Sequence, residues 1–423
     1  MTVTSRPSAL AAAAGLLVAL AITAAGAGTA SAAPSGGRGC ASSVPYTAGR
    51  DGYDTYRIPA TVTTRAGTLL AFAEGRHNSA GDTGNIDVVL RRSSDGGCTW
   101  GAPHVVAAGD GDTRGNPAPV VDPRTGRIVL VTSYNSGTVT EAQIMRGEVT
   151  PQQSRRVFVQ TSRDDGRHFS APRDITAQVK LPDWRWYATG PGHAVALTRG
   201  PHAGRLVVPA NHSAAPPAGS TDTGQEAKYY GAHAIHSDDG GVSWRLGFVD
   251  DSYDGADNAN ESIAAELPDG RLYFSARDQN GASAGNRLDT YSSDGGVTLD
   301  HPYTVQPTLN DVPVVQGSVL QLRGPGAPLL FSGPSVPTAR QAMAVWRSGD
   351  AGATFVRAAT LSQRRAAYSD LVQLSGDTVG VLYETGVSGP YETIEFRRLP
   401  VPELLDQAAI RPGRGKDFSP SGD

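Results

Sequence analysis

The sequence predicts an all-β fold of the propeller kind, and three observations carry that prediction. The first is an octet, Ser-x-Asp-x-Gly-x-Thr-aromatic, that recurs along the chain. The second is the stretch between copies, where short alternating strands are joined by Asp-Gly, Pro-Asp-Gly and Gly-Arg turns. The third is composition: 51 Gly and 29 Pro among 423 residues, with 18% charged, suit a turn-rich β protein better than a helical one.

Taken in order, the chain opens with a segment that reads as a signal peptide, residues 1–32. Arg6 lies in a short n-region, an apolar run extends from Ala9 to about Ala25, and Ala30-Ser31-Ala32 forms a small-residue cleavage site before Ala33. The apolar run is nearly long enough to be an uncleaved anchor, but the Ala-x-Ala ending favours cleavage and therefore secretion. Residues 33–44 form an N-terminal segment and residues 45–405 a single propeller domain. Arg411 to Asp423 read as a disordered tail beginning near residue 406, after a closing helix over Pro402 to Ala409. The net charge of −4 creates no field favouring nucleic acid or an anionic membrane. Cys40 and Cys98 are the only cysteines, and an oxidising compartment lets them pair. His233 and His236 stand three apart in a predicted strand, so they face opposite sides and do not share a metal.

The octets are Ser93–Trp100, Ser162–Phe169 and Ser237–Trp244, with two looser copies at Ser292–Leu299 and Ser348–Phe355. Their aspartates, Asp95, Asp164, Asp239, Asp294 and Asp350, are 69, 75, 55 and 56 residues apart. Asp and Gly make a tight turn: the carboxylate accepts nearby backbone N–H groups and Gly takes the positive φ. Each copy follows an apolar strand, as in Ile86-Asp87-Val88-Val89-Leu90. A hairpin unit recurring at this period reads as propeller blades, and these aspartates read as fold markers rather than catalysts.

Tyr56-Arg57-Ile58-Pro59-Ala60, followed by the first octet, resembles the bacterial sialidase family, and the likeness runs from about residue 45 to 400. It implies a six-bladed β-propeller with four-stranded antiparallel blades. It also implies an exo-sialidase that removes terminal sialic acid from sialylated glycoproteins, glycolipids or oligosaccharides with retained configuration. No cofactor is implied. The expected protein is a secreted monomer with no nucleic-acid or membrane partner. A trans-sialidase, an intramolecular trans-sialidase giving an anhydro product and a non-catalytic binding propeller are the alternatives.

The resemblance also assigns site residues. Sialic acid carries a carboxylate on its anomeric carbon, and three arginines clamp it because guanidinium forks match carboxylate geometry and stay charged. Arg57, Arg277 and Arg340 match those positions. Tyr368, in Ala367-Tyr368-Ser369-Asp370-Leu371, matches a tyrosine nucleophile, an exception to the usual pair of carboxylates. A neutral phenol approaches that carbon without the repulsion an anion would meet. Glu261 matches its base and Glu384 the carboxylate behind Arg57. Asp82, in Gly81-Asp82-Thr83-Gly84-Asn85, matches the general acid/base; its rival Asp87 alternates with Ile86 and Val88 inside a strand and reads as structural. Arg76, Asn116 and the tract Trp186 to Gly192 are further lining candidates. A competing pattern, Asp250 to Gly255 with Glu261 at the twelfth place, nearly spells a calcium loop. That loop needs flanking helices, and the sequence beside it reads as strands.

Overall fold

The computed structural model describes residues 40–253, 255–281 and 284–406. The signal segment and the tail beyond Asp406 lie outside these residues. The fold is all-β: 47% of the described residues are strand and 5% helix. Among the described residues, no helix is long and apolar enough to cross a membrane.

The strands form two eight-stranded sheets, one five-stranded and one four-stranded sheet. Their antiparallel pairing falls into six successive groups. The first is Thr55–Thr63, Leu69–Arg76, Ile86–Ser93 and His104–Ala107. The second is Thr113–Val121, Ile128–Asn135, Arg156–Ser162 and Arg173–Asp174. In the third, Trp184–Thr189 and Val195–Ala196 both pair with Leu206–Ala214, followed by Tyr230–Ser237 and Arg245–Val249. The fourth is Ala259–Glu266, Leu272–Asp278, Arg287–Ser292 and Thr304–Val305. The fifth is Ser318–Gln321, Leu329–Val336, Ala339–Ser348 and Val356–Thr360. The sixth takes Arg365–Ser375, Thr378–Gly386 and Thr393–Pro400 from the C-terminal region and Ser42–Thr47 from the start of the chain. Single residue pairs, Ile86 with Thr113 and Gln341 with Arg365, merge groups into the two large sheets.

The octets make the expected turns. Asp95 Oδ1 accepts from the backbone of Cys98 and Thr99 at 3.0 and 2.9 Å, and Oδ2 from the Thr99 hydroxyl at 2.6 Å. Asp239 and Asp294 repeat this pattern. Each octet is also gripped by the group before it. Arg92 donates to the Asp165 carbonyl, Arg127 to Gly240, Arg205 to Gly295 and the Tyr291 hydroxyl to Ala351. The series returns on itself, because Arg398 of the sixth group donates to the Asp95 carbonyl of the first octet.

Apolar clusters fill the spaces between neighbouring groups; Leu267, Tyr273, Phe331, Trp346 and Phe355, for instance, bury one another between the fourth and fifth. Cys40 and Cys98 are disulfide-bonded, fastening the strand that completes the sixth group to the octet of the first. A helix does follow the last strand, at Val401–Leu405; the remainder of the expected span beyond Asp406 lies outside the described residues.

Candidate active site

The first strand of five groups carries a register shift near its beginning. The shifts fall between Arg57 and Ala60, Gly115 and Ala118, Trp184 and Tyr187, Ala259 and Ser262, and Ala366 and Ser369. A bulge bends a strand and re-aims a side chain that regular alternation would send elsewhere. Each of these brackets a residue that lines one cavity of about 300 Å³: Arg57, Asn116, Trp186, Glu261 and Tyr368. Arg76, Asp82, Arg277 and Arg340 line the same cavity. Eight of the nine residues singled out individually in the sequence therefore share one space, joined by Trp186 and Ala188 of the tract Trp186 to Gly192. The ninth, Glu384, is fully buried behind it.

Tyr368 is the centre of the arrangement. Its hydroxyl donates to Glu261 Oε1 at 2.5 Å, and Arg277 Nη1 lies 2.8 Å from Glu261 Oε2 and 3.4 Å from the phenol oxygen. The guanidinium carbons of Arg57 and Arg340 stand 4.9 and 5.6 Å from the Tyr368 ring centre. Burial raises the phenol's pKa and Glu261 raises it further, while Arg277, Arg57 and Arg340 oppose them; the net direction is up. The resting group is the neutral phenol.

Glu384 organises this side of the cavity. Its oxygens accept from Arg57 Nε at 3.1 Å and Nη2 at 3.3 Å, from the Ile58 amide at 2.8 Å and from the Tyr368 amide at 3.1 Å. One buried carboxylate thus holds the Arg57 guanidinium and the backbone of Tyr368 together. Ile58 has a φ of 58°, a conformation costly for a β-branched residue; its amide is donated to Glu384. Arg340 donates to the Tyr391 hydroxyl at 2.9 Å, and Arg57 lies over the Tyr391 ring at 4.1 Å.

Asp82 lies on the loop between Leu69–Arg76 and Ile86–Ser93, its side chain 63% exposed. Arg76 Nη1 is 2.8 Å from its carboxylate and Arg57 Nη1 3.5 Å. Desolvation works to raise the Asp82 pKa, but the two guanidiniums outweigh it and hold the group below its usual range. Arg76 is in turn held by Glu74 at 2.6 Å, and Glu74 Oε1 accepts from the Asn116 amide at 2.8 Å. Arg155 completes this wall. It is buried, donates to Asn116 Oδ1 at 2.5 Å, has no carboxylate within bonding reach among the described residues, and burial pushes its pKa down to about 10. Glu141 accepts from the Tyr230 hydroxyl; burial raises its pKa, Tyr230 opposing.

Comparison with known proteins places the chain in a family. Residues 67–381 match the family model described as a BNR repeat-like domain. A sialidase of Micromonospora viridifaciens is 31% identical over 86% of this chain and 56% of its own length. An exo-alpha-sialidase of Aspergillus fumigatus is 31% identical over 71% of this chain and 70% of its own. The chain belongs to the sialidase family. Among solved structures, the Hadza microbial sialidase Hz136 superposes with a TM-score of 0.69 at 26% identity, over 86% of this chain and 68% of that one. The chain spans just over half the length of the Micromonospora relative.

Within this sialidase-family chain, the competing readings resolve. Asp87 is structural: Tyr53, His77 and the Gly109 amide surround its carboxylate at 2.8, 2.9 and 2.7 Å. The calcium-loop reading of Asp250 to Glu261 is overturned. Strands Arg245–Val249 and Ala259–Glu266 flank it, and the Glu261 carboxylate is spent on Tyr368 and Arg277. None of the octet aspartates lines the cavity. His233 meets His212, ring nitrogen to ring nitrogen at 3.1 Å, rather than His236.

Glu74, Glu141, Arg155, Tyr230 and Tyr391 were not singled out in the sequence. One of them had a local signal. Thr140 and Gln143 form a capping box that starts the helix Glu141–Met145, and a Thr-x-x-Gln pattern announces such a start. That helix carries Glu141 to the cavity. Tyr391 lies in a turn with no distinguishing pattern.

Proposed function

We propose that this protein is an exo-sialidase that hydrolyses terminal sialic acid from glycoconjugates with retention of configuration. The observation that carries the reading is the Tyr368 hydroxyl, hydrogen-bonded to Glu261 and encircled by Arg57, Arg277 and Arg340. Three fixed cations suit a permanent carboxylate on the reacting carbon, and a neutral phenol suits attack beside that anion.

In the first half-reaction the Tyr368 oxygen bonds to the anomeric carbon while its proton passes to Glu261. The glycosidic bond breaks, and its oxygen takes a proton from Asp82. In the second, Asp82 removes a proton from water, whose oxygen attacks the same carbon. The bond to Tyr368 breaks, and Glu261 returns the proton to the phenolate. Two displacements on one carbon retain its configuration. Binding of the substrate carboxylate to the arginines offsets the positive field that depresses Asp82, so the acid gains its proton as substrate arrives.

We further propose that the six strand groups are the blades of a closed propeller and that the protein is an exported monomer. The return of the octet contacts, from Arg398 to Asp95, supports closure. The completion of the sixth group by Ser42–Thr47 supports it as well. The disulfide suits an oxidising compartment.

The test is release of fluorophore from an aryl sialoside by wild type and Tyr368→Phe, with the first-formed sugar followed by proton NMR. Wild-type turnover giving the α-anomer of free sialic acid, with Tyr368→Phe near background, is the expected result. An anhydro sugar or a transferred glycan would replace hydrolysis with another outcome of the same site. No turnover at all would sink the enzyme reading.

A further inference from the structure

The strands carrying Arg57, Glu261 and Tyr368 share no backbone ladder: Thr55–Thr63, Ala259–Glu266 and Arg365–Ser375 belong to three different sheets. Their relative placement depends on what bridges them. Two residues beyond Tyr368 on the same strand, Asp370 is fully buried. Its Oδ2 accepts from the Thr61 amide at 2.8 Å, four residues after Arg57, and from the His193 amide at 3.1 Å. Its Oδ1 meets His193 Nδ1 at 2.7 Å and the Ser318 hydroxyl at 2.8 Å.

His193 ends a short tract, Gly190 to His193, that reaches the third strand. The Gly190 carbonyl accepts from the Ser262 amide at 3.1 Å, directly beside Glu261. Between these ends, Gln316 Nε2 donates to the Pro191 carbonyl at 3.2 Å and the Ser369 carbonyl at 3.0 Å, while its oxygen accepts the Ser369 amide at 3.0 Å. The tract is closely fitted. A Cβ on Gly192, whose φ is +104°, would lie 3.0 Å from Ile263 and 3.1 Å from Asp370 Oδ1.

We propose that Asp370 and His193 are positioning residues of the active site: their buried contact sets the spacing of the strands that bring Tyr368, Glu261 and Arg57 together. Neither residue lines the 300 Å³ cavity, so neither touches substrate; each acts through backbone. The inference rests on the sialidase reading and assigns that site a support the reaction scheme does not contain. Displacement of reacting groups by about 1 Å is enough to lower turnover roughly 10²-fold. His193 also borders a second cavity, of about 500 Å³, so shortening its side chain enlarges an existing space rather than leaving a sealed void.

The experiment compares His193→Ala, His193→Asn and Asp370→Asn with wild type on an aryl sialoside, reading kcat and KM separately, with thermal unfolding alongside. An asparagine amide can occupy the Nδ1–H position and restore the donor to Asp370. The expected result is a kcat for His193→Ala reduced roughly 10²-fold, a KM within about threefold of wild type, and recovery of most of the kcat in His193→Asn. A His193→Ala protein with lowered melting temperature and unchanged kcat would overturn the proposal, since the contact would then be structural only. A His193→Asn protein that folds but is as slow as His193→Ala would overturn it too. If His193→Ala does not fold, His193→Asn and Asp370→Asn decide: near-normal kcat in the first with a large loss in the second is required. An inactive wild type would instead remove the sialidase reading beneath it, so the two failures are separable.

Discussion

The Tyr368 hydroxyl and Glu261 Oε1 meet at 2.5 Å although the residues are 107 positions apart on strands of different sheets. The contact pairs a proton donor with the one carboxylate oxygen that Arg277 leaves open. Glu261→Gln keeps the shape and removes the ability to accept the proton. Turnover should fall roughly 10²- to 10⁴-fold, as for loss of a positioned base, with a smaller change in KM. Steady-state kinetics on an aryl sialoside and a natural sialyl-oligosaccharide checks it. The loss should appear with both, because the base serves bond formation to Tyr368 whatever group departs.

Asp82 predicts a different pattern. An acid matters most when the leaving oxygen is basic, so Asp82→Ala should cost about tenfold with an aryl leaving group and roughly 10²-fold or more with a sugar. Equal losses on the two substrates would argue against the role. Arg76 supplies the nearest charge holding the Asp82 pKa down. Removing it in Arg76→Met lets that pKa rise, so the protonated acid persists to higher pH. The alkaline limb of the kcat profile should move upward in the variant; a downward shift would contradict the assignment.

Much of this was legible before the structure, for identifiable reasons. The octets announce themselves because Asp and Gly are needed at set offsets for a local turn. Arg57 and Tyr368 stand inside recognisable segments. What sequence reasoning missed depends on long-range assembly. Five strands shift register at the same level, and no local pattern marks those bulges. Glu74 sits two residues from Arg76 yet became visible only once its carboxylate was seen to join Arg76 to Asn116. Residues 33–44 read as a segment apart from the propeller, and the strand Ser42–Thr47 that begins inside it was not legible because its partner, Thr393–Pro400, lies at the other end of the chain.

Glu384 is a buried anion whose main partner is a buried cation. Breaking such a pair from one side leaves the other charge uncompensated, at a cost of about 3–5 kcal/mol. Glu384→Gln should therefore lower stability by that order in chemical denaturation. It should also raise KM, because Arg57 loses the fork that aims it. A variant with wild-type stability and KM would show that Arg57 is held by other contacts.

The Cys40–Cys98 bond closes a loop of 58 residues. Chain-entropy reasoning assigns such a cross-link about 4 kcal/mol through restriction of the unfolded state. It also ties the last-completed strand group to the first octet, where Arg398 already reaches Asp95. Cys40→Ala/Cys98→Ala should unfold at markedly lower denaturant than the oxidised wild type. Wild type held in a strong reductant should shift toward the variant, and the variant itself should not respond to reductant.

His193 gives stability a pH dependence whose sign follows from Asp370. Burial disfavours the imidazolium, but the adjacent Asp370 carboxylate and the hydrogen bond to it outweigh burial, so the pKa in the folded protein is raised. A His whose pKa is higher folded than unfolded contributes stability that is fully present below the unfolded value, about 6.5, and is lost as pH climbs through the folded one. His193→Asn keeps a donor and lacks the charge. The stability difference between wild type and His193→Asn should be greatest in mild acid, where the imidazolium charge faces the Asp370 carboxylate, and should shrink as pH rises. Denaturant melts at a series of pH values measure it. A difference that grows toward alkaline pH would mean that His193 is neutral in the folded protein and that Asp370 is paired with its N–H alone.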